Sequence, residues 1–507
     1  MIVKQIKLSS QSKDKLSRLK GKTGIKNWNV LCRWALCYSL HEDTVPTDIP
    51  INADSNLEMS WYTFSGEFNE IYEALIIEWC AEKSIEPTEE NLSKYFKLHL
   101  ERGISYLSGT NFVKGFIKPS IGGLEMSIYL DYNASAPIDD RVLEKMIYVY
   151  KNVIGNADSR THDFGDNARK IVEDARGKVA SILGINKDEV FFTSGATESN
   201  NIVIQGLEEY GRSEKRMHII TTAIEHKAVL ETAKAMQKRG FEVDFIAPGS
   251  DGRVSAEEVL SKVRDDTLIV SVMHVNNETG VIQPVKEIGD ALAGTGTYFH
   301  VDATQSFGKL VDELKELKYD MMSMSAHKLG GPQGVGGLIL RKKHYKLPPV
   351  KNITYGGQQE KGIRPGTTPV ALVAGLGEAC SIAELEYRTN YDKNIKIRNI
   401  VKELLAESSL DYSINGDENN TMVSTLNIEI KGVSSEALML ATKQFCGVSN
   451  GSACNSSSYK PSYVLSAMGI SEDSVRNSFR ISWGHNINPD LVFQEFSKLL
   501  EVAKSLA

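Results

Sequence analysis

The stretch SMSAHKLGGPQGVGG, Ser323 to Gly337, sets His327 and Lys328 between hydroxyls and a cluster of glycines. A lysine in so cramped a setting suits a reaction in which its amine attacks a carbonyl. The amine must then be partly neutral, and burial beside other cationic groups lowers a lysine pKa and makes it nucleophilic. Ser325 and His327 would donate to an anion alongside. Gly330, Gly331, Gly334, Gly336 and Gly337 let the backbone pass close to a ligand. An exposed lysine ahead of a loop would explain none of these neighbours.

Other residues of chemical interest follow apolar runs. In FFTSGATESNN a strand is expected to end at Phe192, and a turn through Ala196 and Thr197 leads into a helix. Such a helix start favours phosphate, with the Thr197 hydroxyl as an added donor; an ordinary capped helix has the same pattern. No GxxxxGK[ST] loop occurs. In YFHVDATQSFGK, Asp302 ends a strand and Gln305 follows three residues on. A carboxylate there costs desolvation unless a positive group meets it. A protonated pyridine nitrogen would serve, and a helix N-cap is the alternative. His226, in AIEHKAVL, sits where a strand hands over to a helix. Its imidazole either stacks on a planar ligand and moves protons, or is a satisfied structural histidine. Asn277, in HVNNETG, is a candidate donor to a substrate or ring oxygen, or a plain turn residue. Cys454 lies among Ser, Gly and Asn in VSNGSACNSSSYKPSYVL, where exposed, mobile chain is expected. A thiol that must reach a buried ligand and then a separate acceptor needs such a tether. Arg480, in NSFRISWG, offers a guanidinium fork to the carboxylate of an amino acid, or else forms a structural salt bridge.

The elements that must position these residues begin near residue 127. Short apolar runs (DEVFF, MHIIT, TLIVSVMHV, TYFHVDA) alternate with helical stretches such as HKAVLETAKAMQKRG, which predicts a largely parallel sheet covered on both faces. In such sheets ligands sit at the carboxyl ends of the strands. After about residue 370 a longer helical stretch and a smaller mixed segment suggest a second lobe. Ahead of the break at 109–126, rich in Gly and carrying Pro119, residues 1–108 read as mainly helical. Phe68, Ile71, Tyr72, Leu75, Ile76 and Trp79 share one expected helix face, and Leu31, Trp34, Ala35 and Tyr38 another. A third helix is expected to begin after Pro87-Thr88, bury Leu92, Tyr95, Phe96 and Leu100, and stop at Gly103.

Composition narrows the class. The 507 residues are 41% hydrophobic and 24% charged, with a net charge of −7. That suits a globular protein with a real core and argues against one that coats nucleic acid with its whole surface. No apolar run approaches the roughly 20 residues of a membrane span, and the N-terminus has no signal-peptide stretch. Cytoplasmic location is expected, with no membrane partner. The six cysteines form no CxxC pair and have no histidine at zinc-finger spacing, so neither a disulfide framework nor a metal site is expected.

Together these motifs resemble the cysteine desulfurases of the NifS/IscS type, within the fold-type I pyridoxal-phosphate enzymes. LDYNASAP, TSGATESNN, EHKAVLE, MHVNNETG, HVDATQS, SAHKLGGPQGVGG, IRPGTTPV and GSAC occur in the family's order. The resemblance implies a large pyridoxal-phosphate-binding domain over 127–375 and a small C-terminal domain over 376–507. It implies that Lys328 holds the cofactor covalently, that Asp302 pairs with its pyridinium and that Gln305 bonds its ring hydroxyl. Ala196, Thr197, Ser325 and His327 would hold its phosphate, with Thr367 reaching the phosphate of a neighbouring subunit in a homodimer. Asn277 and Arg480 would orient L-cysteine, His226 would assist proton traffic, and Cys454 would take the sulfur as a persulfide, leaving alanine. Ala157 stands where the family usually has proline, and NASAP varies its common TTP ending. The chain stops 27 residues beyond Arg480, short of the tail with which IscS-type members dock an iron–sulfur scaffold. The resemblance therefore does not carry that docking over.

Charge is segregated in the first module. Residues 1–35 hold nine Lys/Arg against Asp14, and residues 36–90 hold thirteen acids against Lys83. Clustered cations such as Lys13, Lys15, Lys20 and Lys22 suit a DNA backbone; a solvated pattern or pairing between protomers is the alternative. IKLSSQSKDKLSRLKGKTGIKNWNVLCRWALCYSL and HLERGISYL resemble the small DndE protein of bacterial DNA phosphorothioation systems. That resemblance implies a desulfurase fused to a DNA-associated partner, with acceptor proteins of such a complex receiving the sulfur. Supply to iron–sulfur assembly or tRNA thiolation, with the first module as a docking adaptor, is one alternative reading. A catalytically silent DNA-complex scaffold is another.

Overall fold

The computed structural model describes residues 2–109 except 24, 26, 43, 49, 53, 67, 68 and 84, then 127–450 and 461–507. Its contacts separate two units, Met1–Gly123 and Leu124–Ala507. Among the described residues the first unit has five helices: α1 (Ser10–Thr23), α2 (Trp28–Leu40), α3 (Trp61–Ser65), α4 (Asn69–Glu82) and α5 (Glu89–Gly109). A short antiparallel pair, β1 (Gln5–Lys7) with β2 (Glu58–Ser60), adds sheet to a region expected to be mainly helical.

Three expectations for this unit need correction. On α2 the buried stripe is Leu31, Cys32, Ala35 and Leu36, turned away from Trp34, which is 38% exposed. On α4 only a narrow seam is buried, with Ile76, Trp79 and Cys80 inside and Ile71 and Leu75 exposed; Phe68 lies outside the described residues. Finally, α5 starts where expected, with the Thr88 hydroxyl accepting from Asn91 N at 3.2 Å, but it runs through Gly103 to Gly109. A Cβ built on Gly103 would lie 1.8 Å from the Ala35 carbonyl oxygen. Here glycine lets two helices touch backbone to backbone and does not stop one.

The second unit opens with β3 (Ile128–Tyr129). Its main sheet contains β4 (Val190–Thr193), β5 (His218–Thr222), β6 (Glu242–Ile246), β7 (Thr267–Met273), β8 (Tyr298–Asp302), β9 (Met321–Ser325) and β10 (Gly336–Leu340). Their order is β4-β10-β9-β8-β7-β5-β6. The expected parallel character holds except at β10, which runs antiparallel to both neighbours. Successive residues of these strands feed two separate cores. Phe192, Ile220, Val270, Met322 and Ile339 join one, under the helices Asp163–Leu183 and Val285–Leu292. Phe191, Ile219, Ile269, Met321 and Leu338 join the other, under Ala196–Gly206 and Lys227–Lys238. Burial on both faces is why these strands read as unbroken apolar runs.

A smaller antiparallel sheet joins β11 (Tyr412–Ile414), β12 (Thr425–Ile430) and β14 (Ser478–Ser482), while β13 (Cys446–Gly447) pairs in parallel with β3. The helix Val370–Glu407 serves both lobes. Val373, Leu376 and Cys380 pack in the large core, and Ile397, Val401 and Leu405 in the small one. The boundary drawn from sequence at 375/376 falls inside this helix. Ile128 and Leu130 also pack in the small core, so that lobe draws on both ends of the unit.

Candidate active site

The carboxyl ends of β4, β7, β8 and β9 open on a cavity of about 690 Å³, lined also by the turn after β5 and by residues of the small lobe. At its phosphate-like end, β4 passes into the helix Ala196–Gly206 through Gly195, at φ 153° and ψ 176°. That conformation is essentially restricted to glycine. A Cβ on Gly336 of β10 would also come within 2.6 Å of the Gly195 Cα, so the tight turn depends on two glycines. The first-turn N–H groups of such a helix have no intrahelical acceptor. Ala196, Thr197, Ser325 and His327 line the cavity beside them. The Ser325 hydroxyl would stand 3.6 Å from a Cβ at Gly195, so the ends of β4 and β9 meet here. His327 shares a 3.2 Å bond from Nδ1 with the Ser135 hydroxyl. Burial, then the charges of Lys328 and Lys309, hold its pKa down to about 4. A neutral imidazole at an anion site binds by hydrogen bonding.

Asp302 ends β8 at 4% exposure. Its Oδ2 accepts from Asn200 Nδ2 at 2.8 Å and its Oδ1 from Thr304 N at 3.0 Å. Both partners are neutral, so the carboxylate keeps its charge available for a cation in the cavity. Gln305 donates from Nε2 to the Asn133 carbonyl at 3.0 Å. His226 caps the helix Lys227–Lys238, accepting from Ala228 N through Nδ1 at 3.1 Å. That bond assigns the ring proton to Nε2. Burial lowers the His226 pKa against the opposing pull of Asp302, with Lys328 lowering it further. Directly before it, burial pushes the Glu225 carboxyl up to about 8, which leaves that group largely protonated at neutral pH.

Lys328 donates from Nζ to the carbonyls of Asn133 and, at 2.7 Å, Ala134. These carbonyls belong to the loop after β3, nearly two hundred residues earlier in the chain. The same loop supplies Asp131, ion-paired with Arg480, whose Nη1 donates to the Asn277 carbonyl at 2.7 Å. Burial outweighs the Arg480 charge and raises the Asp131 carboxyl pKa. Asp131 and Asn133 thus organise the lysine and the arginine, a role the sequence did not disclose. Main-chain carbonyls and a distant ion pair leave no local pattern; the one signal was the LDYNASAP stretch.

Ala196, Thr197, His226, Asn277, Asp302, Gln305, Ser325, His327, Lys328 and Arg480 all line this cavity. Thr367 does not; it is exposed, three residues beyond Arg364, which pairs with Glu198 at 3.2 Å. Cys454 lies outside the described residues, but the chain on either side is fixed at the cavity wall. Ser449 lines it and pairs through its backbone with Arg480. Tyr463 lines it too, donating to the Glu225 carbonyl at 2.7 Å, and Ser462 donates to the buried Glu278. In the first unit, Lys13 donates to Asn56 at 2.7 Å and Lys15 to Ser105 at 2.9 Å, and the Lys20 ammonium stands 4.2 Å from the Trp28 ring centroid. The Lys22 side chain lies outside the described residues.

The donor set fits pyridoxal phosphate. Neutral donors and a helix start would meet the phosphate, and Asp302 the ring nitrogen. Among the described residues lining the cavity, three buried polar atoms have no protein partner: Asn277 Oδ1, Gln305 Oε1 and Arg480 Nε. Each belongs to a residue of the cavity wall, as a site built for a polar ligand requires.

Comparison with known proteins agrees. The family described as Aminotransferase class-V matches residues 128–486, and the family described as DNA sulphur modification protein DndE matches residues 5–114. Cysteine desulfurase IscS of Pasteurella multocida (strain Pm70) is 43% identical over 364 residues, covering 71% of this chain and 89% of the relative. A solved NifS-like protein superposes with a TM-score of 0.69 at 35% identity, over 75% of this chain and 100% of the other. DndA from Streptomyces lividans superposes with a TM-score of 0.62 at 44% identity, over 70% and 99%.

Proposed function

We propose, for a chain that belongs to the class-V aminotransferase family as a NifS/IscS-type cysteine desulfurase fused to a DndE-like domain, that the sulfur it takes from L-cysteine goes to DNA phosphorothioation. The enzyme is pyridoxal-phosphate-dependent. Bound in the cavity, the cofactor supplies an electron sink for the α-carbon of an amino acid.

The residues around it divide the work. Asp302 holds positive charge on the ring nitrogen, and the turn from Ala196, with Thr197, Ser325 and His327, binds the phosphate. Asn277 and Arg480 orient the substrate carboxylate, the latter through its remaining Nε donor. Lys328 takes the α-proton, and His226 passes protons from Nε2. The Cys454 thiolate attacks the γ-sulfur of the substrate. A sulfur–sulfur bond forms as the carbon–sulfur bond breaks, and its electron pair stays on carbon. Protonation of that β-carbon and return of the α-proton from Lys328 complete alanine and leave a persulfide on Cys454. Geometry supports this reach. Cys454 is five residues from Ser449 and nine from Tyr463, both on the cavity wall. At most about 3.6 Å per residue, the sulfur stays within roughly 20 Å of the wall, enough to enter the cavity and to meet an acceptor outside it.

One observation carries the DNA assignment: the DndE match over 5–114 on the same chain as the desulfurase. A homodimer in the cytoplasm, passing sulfur to acceptor proteins of a DNA-modifying complex, is the arrangement this reading favours. The likeness to IscS favours a second reading, general sulfur supply to iron–sulfur clusters or tRNA. Deleting the gene and measuring both products by mass spectrometry separates the two. Loss of phosphorothioate dinucleotides with tRNA thiolation intact supports the first. Intact phosphorothioation with lost tRNA thiolation supports the second.

A further inference from the structure

Beyond Gln305 the turn after β8 continues to Lys309, which has no part in the roles above. Lys309 lines a second, smaller cavity of about 100 Å³, and Lys328 lines both cavities. The two lysines are held on touching segments. A Cβ on Gly308 would lie 3.2 Å from Leu329 Cδ1, and Lys309 N is fixed to the Ser306 carbonyl at 2.9 Å. Among the described residues no acid lies within ion-pair distance of the Lys309 ammonium.

The other titratable groups facing this cavity do not compensate it. The Asp139 carboxylate is bound by Arg141 through both oxygens at 2.9 and 2.8 Å. His485 is kept towards its neutral form by burial. Tyr132, Tyr387 and Tyr391 bring phenols and no carboxylate to the cavity wall. Lys309 is therefore an uncompensated cation behind Lys328. Burial pushes its pKa down to about 8, which leaves it largely protonated at pH 7. His327, beside Lys328, feels both lysine charges.

We propose that Lys309 is a positioning residue that keeps the proton affinity of the Lys328 nitrogen low, by holding a second ammonium against it across the small cavity. A cation close to a lysine in a low-dielectric site favours the neutral amine, the form needed both to attack a carbonyl and to accept a proton. The inference rests on the assignment of Lys328 as the cofactor-bearing amine.

The test is a pH titration of the visible absorbance of the full-length holoenzyme, comparing wild type with Lys309→Met and Lys309→Arg. Lys309→Met should raise the proton affinity of the cofactor-linked nitrogen on the order of tenfold, and Lys309→Arg should leave it near wild type. The difference between Met variant and wild type should shrink above about pH 8, where Lys309 itself loses its proton. Lys309→Gln gives the same readout should the Met variant fail to fold. An unshifted titration in the Met or Gln variant overturns the proposal. A Lys328→Ala protein with the wild-type spectrum instead overturns the assignment on which it rests.

Discussion

His226 combines two tasks that substitutions can pull apart. Its Nδ1 caps the helix Lys227–Lys238, while Nε2 remains for chemistry. Asparagine is a good N-cap and alanine a poor one, the exchange costing about 1 kcal/mol. His226→Ala is therefore expected to lose about that much stability in urea unfolding, and His226→Asn little. Both should lower kcat, by roughly 10² or more if the imidazole moves protons. Equal activity in the Asn variant and wild type would reduce His226 to a cap. At this scale much was legible in the sequence, because Asp302, Ser325 and Lys328 follow apolar runs and stand beside residues that only a ligand explains. The Asn133 carbonyl under Lys328 was not legible, since any residue carries a carbonyl. The Arg480–Asp131 pair was foreseen only in kind, as a possible salt bridge without a partner.

Elements were easiest to read where burial is symmetric. The strands at Phe191–Phe192, Ile219–Ile220 and Ile269–Val270 send alternate residues into two cores, so each appears as a plain apolar run. Helices of the first unit were harder. Their buried stripes are narrow, and Trp34, Ile71 and Leu75 are apolar residues left at the surface. Gly103 misleads because a glycine that ends a helix and one that admits a neighbour look alike in sequence. The close approach to the Ala35 carbonyl gives it a testable role. Gly103→Ala should push α2 and α5 apart and destabilise the first unit by about 3 kcal/mol, read by tryptophan fluorescence during denaturation. Four of the five tryptophans (28, 34, 61 and 79) lie in that unit. A midpoint equal to wild type would mean that the helices can separate without cost.

For the whole molecule, the question is whether a cysteine desulfurase unit and a DndE-like unit on one chain serve one product. Among the described residues, Lys13 and Lys15 bond to neutral groups and Lys20 stands over an aromatic ring, so none of the described carboxylates of the unit pairs with them. Neutralising Lys13, Lys15, Lys20 and Lys22 together should weaken DNA binding and flatten its dependence on salt, by about 0.9 in logarithmic slope for each phosphate no longer neutralised. Unchanged binding would remove this patch from the DNA reading. The sulfur chemistry itself is read by mass spectrometry of the full-length holoenzyme given sulfur-labelled L-cysteine. One labelled sulfur is expected on Cys454 with alanine released, and neither product from Cys454→Ser, which should still bind cysteine. Continued alanine formation by Cys454→Ser would contradict it.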